Sequence, residues 1–166
     1  MESCYNIKVE DEGDDDVERK DIIDSILLDV TSRECVQQMK QYIQHGNVST
    51  FAHCKNVVRM SYAIDQKFRL KSNLDTLLKG AMLHDMFLYD WHAEDDGEHK
   101  LHGFHHAEKA CENAKEFLDT NDEINGVILC HMWPLNLTKV PRSREAWIVC
   151  IADKLVSLRE TLFERG

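Results

Sequence analysis

From Ile22 onward, apolar residues recur every three or four positions, the period of a helix with one buried face. Ile22, Ile23, Ile26, Leu27 and Val30 mark a first short helix. Cys35, Val36, Met39, Tyr42 and Ile43 mark a second, and Gly46 ends it. Ser49 or Thr50 is placed to cap a third, with Val57, Met60, Ala63 and Ile64 on its buried side. Ser72 or Asn73 caps a fourth, whose inner face carries Leu74, Leu77, Leu78, Ala81, Met82 and Met86. A polar loop is expected from roughly Tyr89 to Gly103. The fifth helix runs from about His105 to Leu118, with Ala107, Ala110, Cys111, Ala114 and Phe117 facing in. Asn121 or Asp122 starts a sixth that ends near Trp133 and Pro134, and a seventh spans about Arg144 to Phe163. Alternating strand-type runs are essentially absent. The expected class is all-α, a compact single-domain bundle of about seven helices.

The first 21 residues do not share this period. They hold nine acidic and three basic side chains, too polar to bury a face, and are expected to form an acidic flexible leader ahead of a domain at 22–166. The whole chain carries 20 basic and 30 acidic residues, a net charge of -10. That surface repels nucleic-acid polymers and anionic membranes, but a small phosphate held by a metal stays compatible with it. The longest apolar run, Ala146 to Ala152, is far short of the roughly 20 residues of a bilayer span. The start of the chain lacks the basic and apolar regions of a secretory signal. The six cysteines, at 4, 35, 54, 111, 130 and 150, form no Cys-x-x-Cys pair, and most sit in apolar helical patterns. A cytoplasmic setting with free thiols is expected. Oligomeric state is not readable from the sequence.

Candidate chemistry comes from polar residues lodged in apolar stretches. His53 falls in the first turns of the third helix. His84 and Asp85 close the run Ala81-Met-Leu near the end of the fourth. His106 opens the fifth, His131 follows Val127-Ile-Leu-Cys130, and Asp153 interrupts Trp147-Ile-Val-Cys-Ile-Ala152. A buried carboxylate left alone costs several kcal/mol. A cation, a hydrogen-bonded partner or a metal ion relieves that cost, and imidazole with carboxylate is a ligand set for divalent transition metals. Blander roles exist for each residue singly. Asp153 could pair with Lys154 or an arginine, and His45, His92, His99 and His105 read as solvated or locally bonded groups. Neighbours on a helix also point about 100° apart, so the doublet serves one centre only if that centre lies against the helix side or the Asp bridges two ions.

Taken in order, His53, the doublet His84-Asp85 and the distal Asp153 resemble the signature of the HD-domain superfamily of metal-dependent phosphohydrolases. Gly80-Ala-Met-Leu-His-Asp85 looks like its doublet helix, and Ile151-Ala-Asp-Lys154 like its last-Asp helix. The resemblance covers roughly residues 35 to 160. His106 and His131, 21 residues after Asp85 and 25 apart, are similar to those of HD proteins with a second metal. The segments Leu83 to Trp91, His102 to His106 and His131 to Leu135 look like a small bacterial HD subfamily of predicted hydrolases.

The resemblance implies roles. His53, His84, Asp85 and Asp153 would hold a first divalent ion, and His106 and His131 a second, with Asp85 bridging. His105 competes with His106 for that place, and His102 is a further candidate near the mouth. Fe, Mn, Zn, Ni and Co all suit such a set. The expected activity is cleavage of a small phosphate mono- or diester by metal-activated water. The sequence carries neither a Gly-x-Ser-x-Gly nucleophile elbow nor a Gly-rich phosphate loop. Phosphate recognition would fall to Lys154 first, then Lys109 and Arg142. The loop holding Trp91, Asp90, Glu94, Asp95 and Asp96 is a candidate lid. Two other readings use the same residues, a mixed-valent di-iron oxygenase and a metal-bearing regulatory module without turnover.

Overall fold

The computed structural model of the protein describes residues 12–89 and 102–163. Within them the chain is all-α apart from one small hairpin. The helices are α1 (Glu12–Thr31), α2 (Glu34–Gln38), α3 (Thr50–Phe68), α4 (Leu74–Leu83), α5 (His102–Leu118), α6 (Asp122–Cys130) and α7 (Arg144–Phe163). The helix α4 is central, packed against α3, α6, α7 and α1, while α5 lies chiefly on α6. Leu77, Leu78, Ala81, Met82 and Leu83 of α4 are sealed against Val57 and Val58 of α3, Val127 and Ile128 of α6 and Val149 and Val156 of α7. No described helix is long and apolar enough to cross a membrane, and the five described cysteines are free thiols.

Local chemistry sets the helix starts. Ser49 Oγ accepts from the Ala52 amide at 3.3 Å, and Asn73 Oδ1 accepts from the Thr76 amide at 3.2 Å. Asn121 Oδ1 and Ser143 Oγ do the same for Ile124 and Ala146, at 2.9 and 3.1 Å. Each satisfies an amide that has no intrahelical partner. One contact brings the C-terminal ends of α4 and α6 together. A Cβ on Gly80 would stand 2.7 Å from Val127 Cγ1, so only a residue without a side chain allows the two helices to approach this closely.

Several boundaries depart from the sequence-based expectation. Helix α1 begins at Glu12, so half of the span read as a flexible leader is helical, while residues 1–11 lie outside the described residues. Acidic side chains concentrated at a helix start suit the positive end of its dipole, which offsets the lack of an apolar face there. The second expected helix stops at Gln38. A single 3-10 turn (Met39–Gln41) follows, then two strands, β1 (Ile43–His45) and β2 (Val48–Ser49), paired antiparallel. Tyr42 is extended, Ile43 and Val48 are β-branched, and Gly46 takes the left-handed φ of 55° that a tight turn requires. The expectation of no strands is corrected by this hairpin. Helices α4 and α6 end at Leu83 and Cys130, so His84 and His131 are not inside helices but cap them. Of the expected loop from Tyr89 to Gly103, residues 90–101 lie outside the described residues, including Trp91 and the candidate lid carboxylates.

Gly80→Ala should cost about 1–3 kcal/mol of stability through overpacking against Val127, less the modest helix-propensity gain of alanine. Chemical denaturation measures it. A variant as stable as the parent would contradict the close α4–α6 contact.

Candidate metal centre

Five elements deliver six polar side chains to one buried point. His53 comes from the second turn of α3, Asp153 from the middle of α7, and His106 from α5. His84 and His131 occupy equivalent places, each the C-cap of its helix in αR geometry. Each turns Nδ1 back on the carbonyl three residues earlier, His84 on Ala81 O at 2.8 Å and His131 on Ile128 O at 2.7 Å. A carbonyl can only accept, so Nδ1 carries the hydrogen and the neutral ring presents the Nε2 lone pair inward. His53 Nδ1 is likewise bound, to Glu160 Oε2 at 2.8 Å. Two helix C-termini also converge here, and their partial negative charge favours a cation between them.

Asp85 stands at the middle, 2% exposed, in the turn after α4. Its two oxygens face different ring sets. Oδ2 lies 3.3 Å from His84 Nε2 and 3.7 Å from His53 Nε2. Asp153 Oδ1 completes that side, 3.3 Å from His53 Nε2 and 3.8 Å from His84 Nε2. Oδ1 of Asp85 lies 3.3 Å from His106 Nε2 and 3.4 Å from His131 Nε2, and those two nitrogens are 2.9 Å apart. Two donors each about 2.1 Å from a shared ion stand about 3.0 Å apart at a right angle and about 3.4 Å apart at a tetrahedral one. The observed separations fall around those values. Two triads, His53–His84–Asp153 and His84–Asp85–His131, bring their ligand atoms within 4.8 Å of one another. His84 Nε2 and Asp85 Oδ1 are buried with no hydrogen-bond partner. Such groups are costly unless something else satisfies them, so the donors fit a bound cation.

The ionisation balance points the same way. Burial alone would lower the His53 pKa, but Asp153, Glu160 and Asp85 outweigh it and raise it to about 10. For His84 the charge of Asp85 overrides the burial that would lower it, and its pKa rises well above the usual imidazole value. Burial would raise both carboxylates. The charge of His84 and the close imidazoles of His106 and His131 instead hold Asp85 well below the normal range, as His53 and His84 do for Asp153. His131 is pushed down, chiefly by burial. The pair of carboxylates thus draws positive charge into the core, and protons and metal ions compete to supply it.

A supporting layer escaped the sequence reading. Asn56 Nδ2 donates to Glu160 Oε1 at 2.9 Å, holding the carboxylate that orients His53. Glu160 lies seven residues after Asp153, on the same face of α7, and that spacing was its available signal. Gln44 is buried at the hairpin and donates from Nε2 to Asp85 Oδ2 at 2.6 Å. Without a predicted hairpin it had no signal. Asn113 Nδ2 donates to the Met86 and Phe87 carbonyls at 2.8 and 3.1 Å, which fixes the turn carrying the doublet.

The remaining candidates fall elsewhere. Lys154 sits at the rim, half exposed, donating from Nζ to His131 O at 2.8 Å with Asp153 Oδ2 at 3.9 Å. His105 is exposed, 3.8 Å from Glu108, whereas its neighbour His106 points into the cluster. Lys109 is exposed, 3.6 Å from Glu112. Arg142 lines a groove with Asn73, Asp122 and Glu145 that contains none of the six cluster residues. His102 starts α5, and its side chain lies outside the described residues, as do His92 and His99.

The family model described as HD domain matches residues 50–158, which include all six clustered side chains. No curated protein and no solved structure matches the chain.

Glu160→Gln keeps the bond to His53 but removes its charge, and should weaken divalent-ion affinity about 10–100-fold with helical content unchanged. Titration with a colorimetric chelator as competitor reads the change; equal affinity would deny Glu160 its supporting role. A raised imidazole contributes stability that is complete below its ordinary pKa near 6.5 and is lost as pH climbs through the folded value, about 10 for His53. A cation needs that nitrogen bare, so its binding must expel the proton. Affinity should therefore rise with pH through neutrality, and calorimetry in buffers of different ionisation enthalpy should record proton release. Uptake without release would contradict the competition.

Proposed function

The chain belongs to the HD domain family, and from that premise we propose that it is a metal-dependent phosphohydrolase, cleaving a small phosphate mono- or diester with water. The observation that carries this reading is the placement of Asp85, with Oδ2 toward His53 and His84 and Oδ1 toward His106 and His131. In this reading His53, His84, Asp85 and Asp153 would hold one divalent transition metal, and His106 and His131, with Asp85 shared, would hold a second. Bound ions of this kind supply Lewis-acid charge and a water that loses its proton near neutral pH.

The chain's own residues do the rest. Gln44 Nε2 bonds Asp85 Oδ2 and keeps the carboxylate plane turned so that both oxygens are presented. Glu160 makes the His53 ring more electron-rich through Nδ1. Leu83, Met86 and Phe87 exclude water around the doublet, and low polarity strengthens each charge interaction there. Lys154 carries its ammonium to the rim, beside Asp153, where it meets the phosphoryl oxygens of the substrate. Its bond to the His131 carbonyl fixes that approach. A net charge of -10 disfavours long polyanions, so the substrate class is a small phosphorylated molecule.

Metal analysis of the purified protein, paired with a panel of nucleotides, phosphomonoesters and phosphodiesters under anaerobic manganese, tests the reading. Turnover of at least one ester is expected. His84→Ala and Asp85→Ala should lose both metal and turnover, while far-ultraviolet circular dichroism stays helical. A metal-loaded chain inert on the whole panel would overturn the assignment, and product formation only with iron and oxygen uptake would replace it with an oxygenase.

A further inference from the structure

Helix α7 is apolar on two sides. One side buries Val149, Ala152 and Val156 in the core and carries Asp153 and Glu160 to the metal cluster. On the opposite side stand Trp147, Ile151, Leu155, Leu158 and Leu162. Their spacings of four, four, three and four residues confine them to a stripe about 80° wide at 100° per residue. All five are exposed, from 38% at Trp147, whose ring also meets Trp133 edge-on at 5.0 Å, to 63% at Leu162. Single exposed leucines need no explanation, but a line of five along four turns does. A helix apolar on both sides is the pattern of one covered on both sides.

We propose that this stripe is where a second copy of the chain docks, α7 against α7 about a two-fold axis. Three observations favour that occupant. The four-four-three spacing is an 11-residue period, close enough to the helix's own 3.6 that the stripe runs nearly straight along α7 and can lie along a second copy of itself. One straight stripe is self-complementary, as a two-fold contact requires. At about 200 Å² for a fully exposed residue of this size, the five exposed fractions leave on the order of 500 Å² of apolar surface per chain, enough for the apolar centre of an interface to which each partner contributes roughly 800 Å². An anionic membrane or nucleic acid would instead meet a chain of net charge -10. The stripe itself carries no acidic side chain, and Lys154 and Arg159 flank it. Two copies of equal charge repel, so association should strengthen as salt screens them. The inference is independent of the hydrolytic reading.

Sedimentation velocity of the metal-loaded full chain tests it. The expected mass is twice 19.3 kDa, with the paired fraction growing with concentration and with salt. Combining Leu155→Glu and Leu158→Glu should weaken association by about 100-fold or more, to a single-copy species with unchanged metal content and circular dichroism. Phe68→Ser, at an exposed phenylalanine off the stripe, should leave the mass at two copies. A wild-type chain that sediments as one copy at every concentration overturns the proposal, as does a glutamate variant that stays paired. Single copies that float with anionic lipid vesicles also overturn it and assign the stripe to a membrane surface.

Discussion

A carboxylate sealed from water at the end of a helix has to be answered by positive charge or by hydrogen-bond donors, and Asp85 is such a group. Around it stand four imidazoles from four elements and the Gln44 amide, all within 3.7 Å. Much of the fold can be understood as the means of bringing them there. Gly80 lets α4 approach α6 until His84 and His131 meet with ring centroids 4.8 Å apart. The hairpin places Gln44, and Asn113 clamps the backbone just after the doublet. His53, His84 and His131 are among the largest fully buried side chains, so the candidate metal cluster is sealed inside the fold along with the apolar core.

That coincidence has an energetic consequence. Replacing a cluster residue removes packing and leaves its partners' charges uncompensated, so function and stability are joined at these positions. The outward bonds from Nδ1 of His53, His84 and His131 restrict each ring before any ligand arrives. Preorganisation of this kind lowers the ordering cost of binding an ion and fixes which nitrogen meets it.

Much of the all-α architecture was legible because the apolar period is strong wherever a helix buries one face, as in α3 and α4. The six cluster residues were legible for the complementary reason, as charged or titratable groups set in stretches too apolar to solvate them. The misses share a cause: interactions that only tertiary contact defines. Glu160 is an ordinary glutamate until Asn56 and His53 close around it. Gln44 acquires a role only through a hairpin of five described strand residues, too short for a two-residue period to register. The choice between His105 and His106 was a matter of 100° of helix rotation, which sequence spacing alone does not resolve. Helix α1 ran further toward the N-terminus than its apolar face, since a helix can continue where it buries nothing.

The most direct measurement of whether Asp85 joins two cation positions is a count of bound metal per chain, by plasma mass spectrometry, in the wild type and in His106→Ala. Two ions in the wild type and one in the variant, with the chain still folded, are the predicted values. One ion in both, or two in both, would contradict a shared carboxylate between His53–His84 and His106–His131.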